Sequence, residues 1–403
     1  MASPSPSKIA DLEGLRGACA CMVMLVHAAD RLPKTGPIWK FVGAIPSPYG
    51  FSSVIVFFIL SGFVIGHSTK GTPTGDNVVL YLQKRFIRLY PIYLVALVLS
   101  FAVAGVSLAS SSFIGHLLFM QGALVPVIES NGPLWSLNNE ALYYLIFIGL
   151  WLWPRAVPIT GAVALAALAL ATVSPTWYAN LIGYFCFWLF GLMLSREHPL
   201  LSKVLVKDDA PKFWLPLLLL GANMATGAPA ALAKQIGIHS GFALLVTVNA
   251  ALIFNLFLSF SGRRLISRVA VPFYTVSIIT TVIGVAYGLY AGKIPDSPEY
   301  GVALLYLTLA LLVWVFGIKS PTRRSWSKLE PLGRISYALY VVHYPVLFFA
   351  AAHFPDSVLA VVLAVVFAVV TAIVLEVLLQ PKIRAAFFAL VGRPGTVPVK
   401  AEP

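Results

Sequence analysis

Apolar runs of about the length of a membrane helix recur from one end of the chain to the other, separated by short polar loops. Twelve such runs stand out, at 12–30, 50–68, 89–109, 134–153, 156–173, 177–195, 213–228, 240–260, 270–291, 300–318, 334–352 and 357–379. A helix needs about 20 apolar residues to cross a hydrocarbon core. Backbone groups in lipid have to bond within their own segment, so each run predicts a helix. The run at 213–228 is short, and 110–128 reads as a re-entrant hairpin. The pattern predicts an all-α polytopic bundle of 10–12 spans. It divides the chain into an N-terminal tail at 1–10, a membrane domain at 11–380 and a C-terminal tail at 381–403. The ends, 1–7 and 393–403, are rich in Pro and predict disorder. No internal repeat is evident.

Composition sharpens this picture. Of 403 residues, 59% are hydrophobic and 11% charged, whereas a soluble domain carries roughly 25% charged residues. The excess apolar sequence has to face a lipid bilayer. A net charge of +13 would suit nucleic acid, but the basic residues lie in short loops between apolar runs. With the N-terminus inside, 22 of the 28 lysines and arginines fall in inner segments, 5 in outer ones, and Arg16 within a span. That is the positive-inside bias, and it places both termini in the cytoplasm and excludes nucleic acid as a partner. Cys19, Cys21 and Cys186 all lie within apolar runs and read as small buried hydrophobes, with no metal cluster or disulfide framework. The first run contains Arg16 and no clear cleavage site follows it, so no cleavable signal peptide is expected.

Ionisable groups inside spans are costly and mark function. Arg16 and His27 are 11 residues apart, which is about 20° beyond three helical turns and roughly 16 Å along the axis. Both therefore share one face of the first helix, with Arg16 toward the inner side and His27 toward the outer. Glu140 in "LWSLNNE" enters its span from the outer side at a similar depth, which predicts a carboxylate–imidazole pair with His27. Arg85 and Arg88 in "RFIRLYP" stand three residues apart at an inner helix end. They project together as a fork suited to phosphate, although inner arginines also flank most spans. His343 and Tyr344 precede Pro345 in "SYALYVVHYP". A lone histidine there reads as structural, and the proline predicts a kink that frees a carbonyl. Ser61 and Gly62 allow close helix contact or approach by a ligand, Asn249 and Asn255 predict bonds between helices, and Glu376 is expected to snorkel.

Five segments in order carry a resemblance: Arg16 with ten residues and then His27, "FFILSGF" at 57–63, "RFIRLYP" at 85–91, "LWSLNNE" at 134–140 and "GRISYALYVVHYP" at 333–345. Together they resemble acyltransferase family 3. The resemblance implies a membrane O-acyltransferase moving an acyl group from cytosolic acyl-CoA to a hydroxyl of a sugar, such as a bacterial exopolysaccharide or lipid-linked glycan unit. It implies that His27 is the essential histidine and general base and that Glu140 supports it. Arg16, Arg85 and Arg88 would hold the coenzyme A, with Ser61, Ser136, Tyr143, His343 and Tyr344 lining the site. Acetyl-CoA is the expected donor, since no lipid tunnel is evident, and no metal is implied. The bacterial inner membrane is the expected location, and self-association into a homo-oligomer stays open. Some members carry a soluble esterase-like domain, and the stand-alone type is expected here. Members are commonly assigned about ten spans, so twelve includes over-division or additions. The rival reading is a proton-coupled small-molecule or glycan transporter using Arg16, His27 and Glu140 as a relay. A receptor without chemistry is the third.

Overall fold

The computed structural model describes residues 6–392 apart from 34–35, 70, 72, 209–212, 239–241, 294–296 and 322. Lys34, Lys70, Lys212, Arg393 and Lys400 of the charge pattern, and the outer parts of both tails, lie outside the described residues. The described chain is predominantly helical. Its first part forms α1 Pro6–Ala29, α2 Pro37–Ala44, α3 Gly50–Ser68, α4 Gly75–Val103, α5 Ser111–Leu117, α6 Trp135–Leu152, α7 Val157–Val173 and α8 Trp177–Ser195. The middle forms α9 Pro199–Ser202, α10 Trp214–Thr226, α11 Ala228–Gln235, α12 Phe242–Val248, α13 Ala250–Ser259, α14 Ser267–Tyr290 and α15 Pro298–Val315. The last part forms α16 Arg323–Ser327, α17 Glu330–His353, α18 Val358–Ile373 and α19 Gln380–Val391. Two short strands, β1 Leu205–Lys207 and β2 Arg263–Leu265, pair antiparallel.

Among the described residues nine helices are long and apolar enough to cross a membrane, or up to eleven if two bent pairs each count as one span. The bent pairs are α10–α11, at 40°, and α12–α13, at 60°. These fall on the runs at 213–228 and 240–260, which the sequence pattern reads as single spans. Each break has a local cause. Gly227 adopts φ +57 between α10 and α11, a left-handed conformation that favours glycine. Asn249, at the second break, turns its amide back onto the Leu245 carbonyl at 2.8 Å. The same amide reaches Asn223 Oδ1 at 2.7 Å, and Asn255 donates to Tyr274 Oη at 3.1 Å, so both asparagines bond between helices as predicted. The nine do not include α6, whose first turns carry Asn138, Asn139 and Glu140.

The segment read as a re-entrant hairpin forms only α5 and then turns back on itself. Asn138 donates to the carbonyls of Phe119 and Gln121, and Gln121 donates to that of Leu134. A short 3-10 turn, Glu129–Leu134, then delivers the chain into α6.

The helices that carry the site form one packed group. Helix α1 lies along α17 and α3, α3 lies along α8, and α17 also packs on α4 and α18. Gly62 of α3 and Gly191 of α8 set the closest approach: a Cβ on Gly62 would overlap the Trp188 carbonyl, and one on Gly191 the Ile59 carbonyl. Small residues of this kind let membrane helices pack backbone to backbone, so of the two readings of Gly62 close helix contact holds. Proline interrupts α4 at Pro91 and α17 at Pro345. Each removes the N–H that would bond four residues back, and a side-chain amide takes each freed carbonyl. Gln380 donates to Ile87 O, and Asn131 donates to Val341 O at 2.9 Å.

Helices α18 and α19 join through a π-helical segment, Val374–Leu379. Glu376 sits in it, buried, and pairs with Arg88 at 2.7 Å. The expected snorkelling does not occur, because an ion pair across α4 satisfies this carboxylate inside the bundle.

Candidate functional site

Among the described residues, two cavities lie along α1 in this helix group, one toward each end of that helix. The first, at the arginine end, has a volume of about 330 Å³ and is lined by Arg16, Lys84, Arg85, Arg88, Glu140 and Arg384, among others. Five cations thus face one carboxylate. They are not equivalent. Arg16 pairs with Glu13, one turn back on α1, and Arg88 is held by Glu376. The Arg85 guanidinium lies 5.5 Å from the Tyr81 ring centroid and 5.6 Å from that of Tyr144, and its buried Nε has no hydrogen-bond partner among the described residues. Arg85, Lys84 and Arg384 form no ion pair among the described residues. Arg85 and Arg88 do share one cavity, but Arg88 spends its charge on Glu376 and Arg85 does not.

Glu140 belongs to this cavity and not to His27. Its Oε1 accepts from Ser61 Oγ at 3.1 Å and from Tyr144 Oη, and Trp188 Nε1 in turn donates to Ser61 at 3.2 Å. The predicted carboxylate–imidazole pair is therefore absent from the described contacts. Matching depth along two helices did not bring the side chains together, because α6 turns Glu140 toward α3 and α4.

The second cavity, at the histidine end, measures about 860 Å³. Aromatic rings of Trp39, Phe51, Trp135 and Tyr344 line it beside Asp30, Lys40 and Glu299. His27 opens onto it and is paired behind with His343: His27 Nδ1 and His343 Nε2 are 2.9 Å apart, with the rings stacked 5.1 Å between centroids. The proton assignment follows from the next contact. His343 Nδ1 lies 2.9 Å from the Leu339 carbonyl, which can only accept. His343 thus carries its proton on Nδ1, and its Nε2 accepts from His27 Nδ1–H. In the neutral pair the His27 lone pair is on Nε2, which has no hydrogen-bond partner among the described residues. Arg31, one turn beyond His27, donates to Tyr344 Oη at 3.2 Å, and the Tyr344 ring meets His27 edge-on at 4.9 Å. The isolated structural histidine expected at 343 is instead the partner of His27.

Tyr340 lines both cavities. Its Oη is 2.7 Å from Ser136 Oγ and 3.1 Å from the Pro133 carbonyl, and its ring centroid is 6.1 Å from that of His343. Ser136 accordingly lies at the junction. Tyr143 does not line either cavity: it is fully buried, donates to Leu181 O at 2.7 Å, and packs on Phe58, Phe185 and Trp188.

Three site residues were missed from the sequence: Tyr340, Arg384 and Lys84, the last read only as an inner-loop charge. Tyr340 precedes His343 by three residues, so the helical spacing that pairs residues on one face was available. Arg384 fell in the expected tail, and only the return of α19 onto α4 brings it to the cavity.

Comparison with known proteins identifies the family. The acyltransferase domain family matches residues 9–290 and 262–379. Acyltransferase MdmB of Streptomyces mycarofaciens is 32% identical over 173 residues, covering 38% of this chain and 41% of its own length. Protein 2 in picA locus of Rhizobium radiobacter is 34% identical over 182 residues, 44% of this chain and 78% of its own. Exopolysaccharide production protein ExoZ of Rhizobium meliloti is 27% identical over 222 residues, 50% of this chain and 60% of its own. The alignments thus span less than two thirds of MdmB and of ExoZ. No solved structure matches. The family's domain runs from α1, with Arg16 and His27, through α17, with Tyr340 and His343, and the chain belongs to the acyltransferase 3 family.

Proposed function

We propose that this protein is an acyl-CoA-dependent O-acetyltransferase of the bacterial inner membrane. The arginine end faces the cytoplasm and takes acetyl-CoA, and the histidine end takes a sugar hydroxyl of an exopolysaccharide or lipid-linked glycan unit. The observation that carries this reading is the pairing of His27 with His343, which leaves Nε2 of His27 as a lone-pair base on one cavity, next to a separate cavity lined by Arg16, Lys84, Arg85, Arg88 and Arg384. The orientation draws on the bias of 22 basic residues against 5, and the acceptor class on the name of ExoZ.

An alcohol is a weak nucleophile at neutral pH. His27 Nε2 takes its proton as the oxygen attacks the thioester carbonyl carbon. A C–O bond forms, the C–S bond breaks, and the thiolate leaves with that proton to give coenzyme A. His343 holds the imidazole in the required tautomer and accepts from the imidazolium, the part a carboxylate plays in a hydrolase triad. The cations at the other end suit the phosphates of coenzyme A. Arg16 and His27 on one face of α1, roughly 16 Å apart, span the path of the extended arm. Glu140 works at the donor cavity, where it fixes Ser61 and Tyr144. The transporter reading needs Arg16, His27 and Glu140 as one relay, and the separation of His27 from Glu140 into two cavities disfavours it.

The test is mass spectrometry of surface glycans from cells with and without the gene, joined to acetyl-CoA binding by the purified protein. Loss of O-acetyl groups together with saturable binding is the expected result. Unchanged glycan acylation with no binding would overturn the reading.

A further inference from the structure

We infer that Tyr340, backed by Ser136, is the hydrogen-bond donor to the thioester carbonyl oxygen during transfer, a role that rests on the acyltransferase reading above. The protons available at this contact limit how it can be bonded. Three contacts converge here: Tyr340 Oη to Ser136 Oγ at 2.7 Å, Tyr340 Oη to Pro133 O at 3.1 Å, and Ser136 Oγ to Pro133 O at 3.1 Å. Two hydroxyls hold two protons, so the three contacts cannot all be separate two-centre hydrogen bonds at once. One arrangement puts the serine proton on the tyrosine oxygen. The Tyr340 proton can then pass from Pro133 O to a new acceptor without breaking the 2.7 Å contact. A chain in which Ser136 donates to Tyr340, and Tyr340 to an oxyanion, strengthens each bond in turn.

Position supplies the second half. Tyr340 lines the cation-lined cavity and the histidine cavity alike. An acyl group carried from one to the other passes this side chain. One turn along α17, His343 holds His27, and the Tyr340 and His343 rings lie 6.1 Å apart between centroids. The hydroxyl and the base thus flank the wall that the two cavities share at Tyr340. As the acceptor oxygen bonds to the carbonyl carbon, the π electrons move onto the carbonyl oxygen. Tyr340 donates to that oxygen, the carbonyl re-forms, and the C–S bond breaks. Donors placed for the charged oxygen are worth roughly 10²–10³ in turnover each.

The experiment compares Tyr340→Phe, Ser136→Ala, His27→Gln and a protein carrying 3,5-difluorotyrosine at 340, each assayed for transfer from acetyl-CoA and for coenzyme A binding. The expected result for Tyr340→Phe is a fall in kcat on the order of 10²-fold, with the Kd for coenzyme A within about twofold of wild type. Ser136→Ala should lose less, on the order of tenfold, because Tyr340 keeps its proton. Difluorotyrosine keeps the shape and makes the phenol a stronger donor, so it should restore turnover to wild type or above. Wild-type kcat in Tyr340→Phe would overturn the assignment, as would a Tyr340→Phe defect that difluorotyrosine shares. His27→Gln separates the two levels: if it stays inactive while Tyr340→Phe is normal, the reaction stands and the tyrosine role falls. If His27→Gln is active, the base assignment itself falls.

Discussion

His343 holds the Nδ1 side of His27 at 2.9 Å and is itself held by the Leu339 carbonyl at 2.9 Å. The carbonyl decides the tautomer of the first ring and, through it, that of the second. A neutral imidazole therefore does the orienting that the sequence pattern assigned to Glu140. The link is also short in the chain of cause: Leu339 and His343 are one turn apart on α17, which packs directly on α1.

Replacing His27 tests the base directly. His27→Gln should cost at least about a hundredfold in turnover, the usual range for a proton-transfer group. An amide can hydrogen-bond to His343 but cannot take a proton near neutral pH. Coenzyme A binding, measured by calorimetry, should persist, because the cations of the other cavity are untouched. Turnover near wild type would rule this base out.

Replacing His343 separates orientation from proton transfer. His343→Phe keeps a ring against His27 and removes the acceptor for its Nδ1–H. Turnover should fall on the order of tenfold to a hundredfold, less than in His27→Gln, since an imidazole base remains. His343→Gln, which can still present an oxygen to Nδ1–H, should recover part of the loss. Equal activity in both variants would make the pair a packing contact only.

The arginines of the first cavity should divide by their partners. Among the described residues Arg85 carries no ion pair and its Nε has no hydrogen-bond partner, so Arg85→Ala should raise the KM for acetyl-CoA about tenfold or more, the scale of charge-assisted bonds to phosphate. Arg384→Ala should act in the same direction. Binding titrations with coenzyme A and with its 3′-dephospho form would show whether either loss depends on that phosphate. Unchanged affinity in both variants would leave these arginines as charges that only set orientation.

Much of the fold was legible because a bilayer demands long apolar helices, and the runs at 50–68, 134–153 and 177–195 return almost residue for residue as α3, α6 and α8. The bends at Gly227 and Asn249 were not, because hydropathy does not register a left-handed glycine or an asparagine that bonds its own turn. Arg16 and His27 on one face of α1 were legible from a single helix and its period. Pairing across helices was harder. Glu140 lay near the expected depth of His27, and depth alone chose wrongly. Only the packing of α17 along α1 selects His343. The freed carbonyl at Pro345 could be anticipated from its ring, whereas its partner Asn131, more than two hundred positions away, could not.

At Arg88 and Glu376 a role in binding and a role in folding give opposite outcomes. Glu376 is buried and its other oxygen, Oε1, has no hydrogen-bond partner among the described residues, so the carboxylate depends on Arg88 at 2.7 Å. Removing one partner of a buried pair costs about 3–5 kcal/mol. Arg88 keeps part of its side chain exposed, and solvent lowers the expected cost of Arg88→Ala to about 1–3 kcal/mol. Glu376→Gln alone should cost less, since Arg88 can turn to the cavity. The double variant Arg88→Ala/Glu376→Gln should regain most of the stability lost by Arg88→Ala, because no uncompensated charge remains. Thermal unfolding in detergent gives the coupling from the four proteins. Coenzyme A affinity gives the contrast: the double variant should bind less than twofold more weakly than wild type if Arg88 is spent on Glu376. A double variant that is stable but has lost coenzyme A binding would return Arg88 to the phosphate-holding role that its spacing from Arg85 first suggested.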